Sequence, residues 1–89
     1  NITFCDTSDE QVMAYYKFDD TRDNETLMVV SLDAFNNAQA MVRIPMEQLG
    51  NQPLKVEDLI TGNTYYWDKE WNFVELSPAL PFHLFKIIR

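Results

Sequence analysis

Few side chains in this sequence have the means to do chemistry. His83 is the one histidine and Cys5 the one cysteine. Nucleophilic catalysis needs a base beside its nucleophile, and these two lie at opposite ends of the chain with no motif around either. His83 falls in the apolar run Phe82 to Ile88 and reads as a core or rim histidine making one hydrogen bond. A tetrahedral zinc site needs about four His, Cys or carboxylate ligands, and one cysteine with one histidine does not begin such a set. The acidic stretch Asp19-Asp20-Thr21-Arg22-Asp23-Asn24-Glu25 invites a calcium reading. It departs from the EF-hand pattern, however, because the turn glycine is missing and Val30 stands where the bidentate glutamate belongs. It reads instead as a solvated turn. Glycosidic chemistry requires two carboxylates flanking a cleft; the carboxylates here fall in turns, and so short a chain leaves little room for a deep cleft. The residues thus point to no catalytic, metal-binding or cofactor-binding position.

The aromatic residues are the remaining signal. Tyr65, Tyr66, Trp67 and Trp71 lie within one short stretch, and an exposed ring can stack on the apolar face of a sugar. Strand alternation puts Tyr65 and Trp67 on one face and Tyr66 on the other. One face must pack on the core, so only part of this set is free for a ligand. Leu59, Tyr65, Trp67 and Val74 are the expected core members. Tyr66 and Trp71 are the candidates for contact with a ligand, being the rings left over once the core is filled.

These rings sit in the stretch Lys55 to Leu76, which is expected to form a three-stranded meander. Lys55 to Leu59 is its first strand. Thr61-Gly62-Asn63 reverses the chain, since glycine tolerates positive φ freely and asparagine better than most residues. Thr64 to Trp67 is a β-branched residue followed by three aromatics, a strand composition. Asp68-Lys69-Glu70 is a polar break, and Trp71 to Leu76 is the third strand.

The rest of the chain supplies further strands. Asn1 to Phe4 reads as the end of a strand entering from a preceding segment, and the abrupt start suggests a fragment of something longer. Val12 to Phe18 and Thr26 to Leu32 are apolar at nearly every position and read as interior strands covered on both faces. Ala38 to Ile44 alternates, with Ala38, Ala40, Val42 and Ile44 inward and Gln39, Met41 and Arg43 outward. Pro45 ends it, and Met46 to Gly50 suits one helical turn closed by glycine. Phe82 to Ile88 is the last strand, with His83, Phe85 and Ile87 on one face and Phe82, Leu84, Lys86 and Ile88 on the other. The total is seven or eight short strands separated by polar turns. That pattern predicts an all-β domain, an antiparallel sandwich or small barrel.

Length and charge narrow the function. Eighty-nine residues make one domain, spanning 1–89, with enough surface burial for one core. The net charge is −7. Its acids gather early, where Asp6, Asp9, Glu10, Asp19, Asp20, Asp23 and Glu25 face only Lys17 and Arg22. Such a surface repels phosphate backbones and anionic lipid, so neither nucleic acid nor membrane is an expected partner. No apolar run approaches the ~20 residues that span a bilayer. A lone cysteine excludes an internal disulfide and fits a reducing, cytoplasmic location.

The segments "LMVVSLDAFNNAQAMVRIPMEQLG", "VEDLITGNTYYW" and "WNFVELSPALPFHLFKI" carry a resemblance that spans essentially the whole chain. In order and spacing they are similar to the C-terminal all-β domain of α-amylase-family enzymes (glycoside hydrolase family 13). The nearest subfamilies are the α-1,4-glucan:maltose-1-phosphate maltosyltransferases, with trehalose synthases close behind. Asp58-Leu59-Ile60-Thr61-Gly62 matches the family's turn, Tyr65 with Trp67 its next strand, and Asn72 to Pro78 and Pro81 to Ile87 its closing strands. Ser31 and Phe73 depart from the pattern. The resemblance implies a Greek-key sandwich with no catalytic residues of its own, since the family's nucleophile and acid/base lie in an upstream (β/α)₈ barrel. It implies a domain that packs on that barrel, its partner in the same parent chain, and covers apolar surface there. The alternative role is a module that binds α-glucan through surface aromatics, with Tyr66 and Trp71 as the glucan contacts.

Overall fold

The computed structural model describes residues 2–19, 24–45, 49 and 54–88. Apart from Leu49, the expected helical turn at 46–50 lies outside the described residues, as do residues 20–23 of the acidic turn at 19–25. Glu25, read as part of a solvated turn, is instead buried and accepts the Tyr16 hydroxyl at 2.6 Å. Eight strands follow one another: β1 (Ile2–Cys5), β2 (Val12–Lys17), β3 (Thr26–Ser31), β4 (Ala38–Arg43), β5 (Leu54–Asp58), β6 (Thr64–Trp67), β7 (Trp71–Leu76) and β8 (Phe82–Ile88). They form two antiparallel sheets, one of six strands in the order β1-β2-β3-β8-β5-β6 and one of two, β4-β7. The expected all-β antiparallel sandwich is therefore the fold, divided very unevenly between its layers.

The alternation of side chains explains the layering. On β2 and β3, Val12, Ala14, Tyr16, Leu27 and Val29 are buried on one face, while Met13 is exposed on the other. Both strands are interior to the sheet, as expected, but only one of their faces is covered. On β4, Ala38, Ala40 and Val42 are buried between exposed neighbours. The register sets Ala38 opposite Leu76 and Ala40 opposite Val74, so small residues on one strand leave room for large ones on the next. This face closes over the large sheet and, with Phe85, Ile87, Val56, Leu54 and Trp67, forms the core.

The expected meander is only half present. β5 and β6 form the hairpin, with Leu54 opposite Trp67 and Glu57 opposite Thr64. β7 does not continue it but crosses to the other layer and pairs with β4. The crossing follows from where apolar surface needs cover. β4 has an apolar face too small to stand alone, and the matching alternation of Val74 and Leu76 completes it. The Asp68–Glu70 link is anchored to the small sheet, because Ile44 N–H donates to the Glu70 carbonyl at 2.7 Å. Arg43 Nε also reaches Glu70 Oε1 at 3.1 Å.

The outer edge of β4 is covered by the β1–β2 link. Arg43 N–H donates to the Asp6 carbonyl, Ser8 N–H to the Met41 carbonyl, and Met41 N–H to Ser8 Oγ. The edge of β4 that the small sheet would otherwise leave open is in this way covered, which limits strand-to-strand association there.

Candidate functional site

Asp58 ends β5 and organises the turn that follows. It is fully buried. Its Oδ1 accepts the Ile60 N–H at 2.9 Å, and its Oδ2 accepts the Thr61 hydroxyl at 3.0 Å. Its carbonyl accepts the Gly62 N–H and its own N–H donates to the Asn63 carbonyl. The side chain thus takes the place of backbone partners in closing the turn, as short polar side chains do. Gly62 completes the reversal at φ 82°, a conformation costly to any residue with a Cβ.

His83 reaches the same carboxylate. Its Nδ1 lies 2.6 Å from Asp58 Oδ2, and its Nε2 lies 2.7 Å from the Glu75 carbonyl of β7. The first contact is within the large sheet and the second crosses to the small one. Both partners are acceptors, so the ring that satisfies both is the imidazolium. Burial drives the Asp58 carboxyl up, but the Ile60 N–H, the hydrogen bonds from His83 and Thr61, and the His83 charge outweigh it and hold the group below the usual carboxylate range. The His83 ring also stacks on Phe85, centroids 5.4 Å apart at 21°.

This cluster binds the layers together and leaves no free ring nitrogen to act as a base. The expectation of a rim histidine holds, but with two bonds where one was expected. Cys5 and His83 do share an inward-facing row, Cys5–Ala14–Val29–His83. Three strand spacings separate them, about 14 Å, so the chain's one Cys–His combination stays apart. Among the described residues no group of three or more metal-ligating side chains is assembled.

A cleft of about 300 Å³ opens where β6 and β7 diverge, lined by Tyr65, Trp67, Phe73, Val74, Glu75, His83 and Phe85. Two expected core residues are not in the core. Tyr65 is 40% exposed and Leu59 48%, whereas Trp67 and Val74 are buried. Tyr65 faces the core side, but β6 is the outermost strand, so its ring overhangs the edge, edge-on to Phe85 at 6.1 Å, with its hydroxyl accepting from Asn63 Nδ2 at 3.4 Å. Trp67 lies at the far end of β6 and packs on Phe85 at 4.9 Å. Leu59 has left the strand and turns outward, where its N–H donates to the Leu84 carbonyl.

Tyr66 is 70% exposed and Trp71 39%. Tyr66 projects from the outer face of the large sheet, opposite Lys55. Trp71 opens β7 opposite Arg43 and, by alternation with buried Val74 and Leu76, belongs to the outer face of the small sheet. The two candidate rings therefore lie on opposite sides of the sandwich and do not build one platform.

The outer face of the large sheet has a pattern of its own. Register places Phe4, Tyr15, Met28 and Leu84 side by side across β1, β2, β3 and β8, and the Leu59–Leu84 bond extends the row past the end of β5. Met13, Val30 and Phe82 form a second row beside it. Phe4 is 71% exposed, its ring edge-on to Tyr15 at 6.1 Å. So much contiguous apolar surface on one outer face is unusual unless something covers it. Alternation alone had suggested cover on both faces of β2 and β3; among the described residues only the inward face is covered.

Taken together, fold and surface define a small antiparallel β-sandwich module whose polar cluster is structural. Residues 4–87 match the model of a family described as "GLGE, C-terminal", and the chain belongs to that family. It is 40% identical over 88% of its length to the α-1,4-glucan:maltose-1-phosphate maltosyltransferase of Chlorobaculum tepidum, and 40% identical, again over 88%, to that of Corynebacterium glutamicum. It is 36% identical over its whole length to maltosyltransferase 1 of Streptomyces coelicolor. The chain spans only 12–13% of the length of these relatives. The kinship with maltosyltransferases expected from the motifs is borne out.

Proposed function

We propose that this domain is a non-catalytic accessory module of an α-amylase-family enzyme acting on α-glucans, and that it stabilises the catalytic barrel of its parent chain by packing on it. The observation that supports this reading is the double apolar row on the outer face of the large sheet. A row led by a 71%-exposed phenylalanine gains stability only when something buries it. Relatives about eight times longer than this chain supply enough protein to do so.

The test is Phe4→Ser with Leu59→Ser in the intact parent chain. Both side chains are largely exposed in the domain itself, so the domain alone loses little. If the face is docked, the variant's catalytic activity is lost at a lower temperature than that of the wild type. An unchanged inactivation temperature overturns the docking reading. A second reading is α-glucan binding, favoured by the 70% exposure of Tyr66. Titration with maltoheptaose, followed by tryptophan fluorescence, tests it; silence at millimolar sugar removes it.

A further inference from the structure

The outward positions of the large sheet differ in charge from the rest of the molecule. The chain carries fourteen acids against seven bases. Yet Lys17, Lys55 and Lys86 all project from this face, and of the chain's lysines only Lys69 does not. Glu57, opposite Lys86, is the one acid at an outward position of these six strands. The lysines stand as a band beside the apolar rows. Lys17 is level with Thr26 and Lys86 in register, while Tyr15, Met28 and Leu84 occupy the next row along.

We infer that this face is an electrostatically matched interface whose occupant is an apolar surface rimmed by carboxylates on the remaining part of the parent chain. The inference rests on the accessory reading above and adds the chemistry of the partner. An apolar centre beside a charged margin is the usual composition of a protein contact surface, and opposite charges at the margin fix its register more than they add to its strength. The acids gathered in the turns disfavour the ends of the sandwich, where a carboxylate-rimmed partner is repelled. The outward positions of β4 and β7 offer it no margin of positive charge, since Arg43 there is balanced by Glu75. Lysine serves here as a compact charge on a long apolar stem, and the stems of Lys17 and Lys86 extend the covered apolar area.

The experiment uses the intact parent chain in three forms: wild type, Lys17→Glu with Lys86→Glu, and Phe4→Ser with Leu59→Ser. Thermal inactivation is followed at about 0.1 M and 1 M salt, where screening lengths are roughly 10 and 3 Å. The double charge reversal is expected to speed inactivation by roughly fivefold at low salt, an effect typical of rim charges, with much of the difference gone at high salt. If reversal has no effect while the serine variant is destabilised, docking stands and the acidic partner is refuted. If neither variant has an effect, the docking reading itself falls. Sedimentation with vesicles of phosphatidylserine and phosphatidylcholine closes the remaining route: lysine-dependent pelleting overturns the inference in favour of an anionic membrane.

Discussion

Asp58 and His83, twenty-five residues apart, meet at 2.6 Å, and through them the β5–β6 turn, β8 and the small sheet become one unit. Asp58→Ala removes the acceptor of three bonds and leaves the His83 ring without its counter-charge. Breaking one partner of a buried pair of this kind costs about 3–5 kcal/mol. Urea denaturation of Asp58→Ala against wild type measures it, and a loss under about 1 kcal/mol shows the pair to be no stronger than a surface one.

The same pair sets an acid limit. The folded Asp58 carboxyl titrates below its unfolded value of about 3.9. Its contribution to stability is thus complete above the unfolded value and is lost as pH falls through the folded one. Stability of the wild type should decline more steeply than that of Asp58→Asn as pH falls below about 4. Parallel acid limbs in the two proteins refute the assignment.

Gly62 isolates a backbone effect from a packing effect. Nothing lies within 4 Å of where a Cβ would stand, so Gly62→Ala meets no clash and pays only for φ 82°. The expected loss is about 1–2 kcal/mol, and Gly62→Asn should lose less because asparagine enters this region more readily. Thermal melts of the two variants decide it, and equal losses contradict the account.

Trp67 tests the core beneath the cleft. Trp67→Ala leaves a cavity against Phe85 and should cost about 3–5 kcal/mol. Tyr66→Ala, one position along on the open face, should change stability by less than about 0.5 kcal/mol. A comparable loss at both positions would mean that Tyr66 is covered.

Tyr66 and Trp71 also separate the glucan readings. Each ring, if it stacks on sugar, contributes about 0.5–1.5 kcal/mol, so Tyr66→Ala and Trp71→Ala should each weaken maltoheptaose binding several-fold. Because the rings lie on opposite faces, each is a separate contact, and the loss of one should leave binding at the other unchanged. Binding unchanged in both variants removes these residues from any glucan site.

How much of this was legible beforehand depends on the range of the interaction. Every strand announced itself locally, through β-branched and aromatic runs bounded by polar turns, and Gly62 marked its own reversal. The alternation of Ala38 to Ile44 was readable because one face is wet and the other dry. The neighbours of a strand are a different matter. β7 followed β6 so closely that a meander was the natural reading, and only the need of β4 for a partner sends it to the other layer. Tyr65 looked like core because alternation gives the direction of a side chain and not the distance to a sheet edge. Leu59 looked like core on the strength of the family likeness, although alternation from Val56 sets it outward. The Asp58–His83 bond was missed for a similar reason. An aspartate three residues before Thr-Gly signals a side-chain-closed turn, and a lone histidine on a strand asks for a partner, but nothing local joins the two. The likeness to the family, carried by the order of short motifs, needed no such long-range knowledge.

β8 is the last of the eight strands, yet it lies inside the large sheet, between β3 and β5. A chain emerging from the ribosome therefore makes, besides the β4-β7 pair, two separate ribbons, β1-β2-β3 and β5-β6, each with an open edge where β8 belongs. Until Phe82 to Ile88 arrive, Leu27, Val29 and Val56 lack their neighbour, and the exposed edges are free to pair wrongly. Closure is a single late event, like a zip drawn from its final tooth. A message truncated shortly before Phe82 should yield not a slightly shortened domain but a chain whose β1-β2-β3 and β5-β6 ribbons are never joined into one sheet, destined for proteolysis.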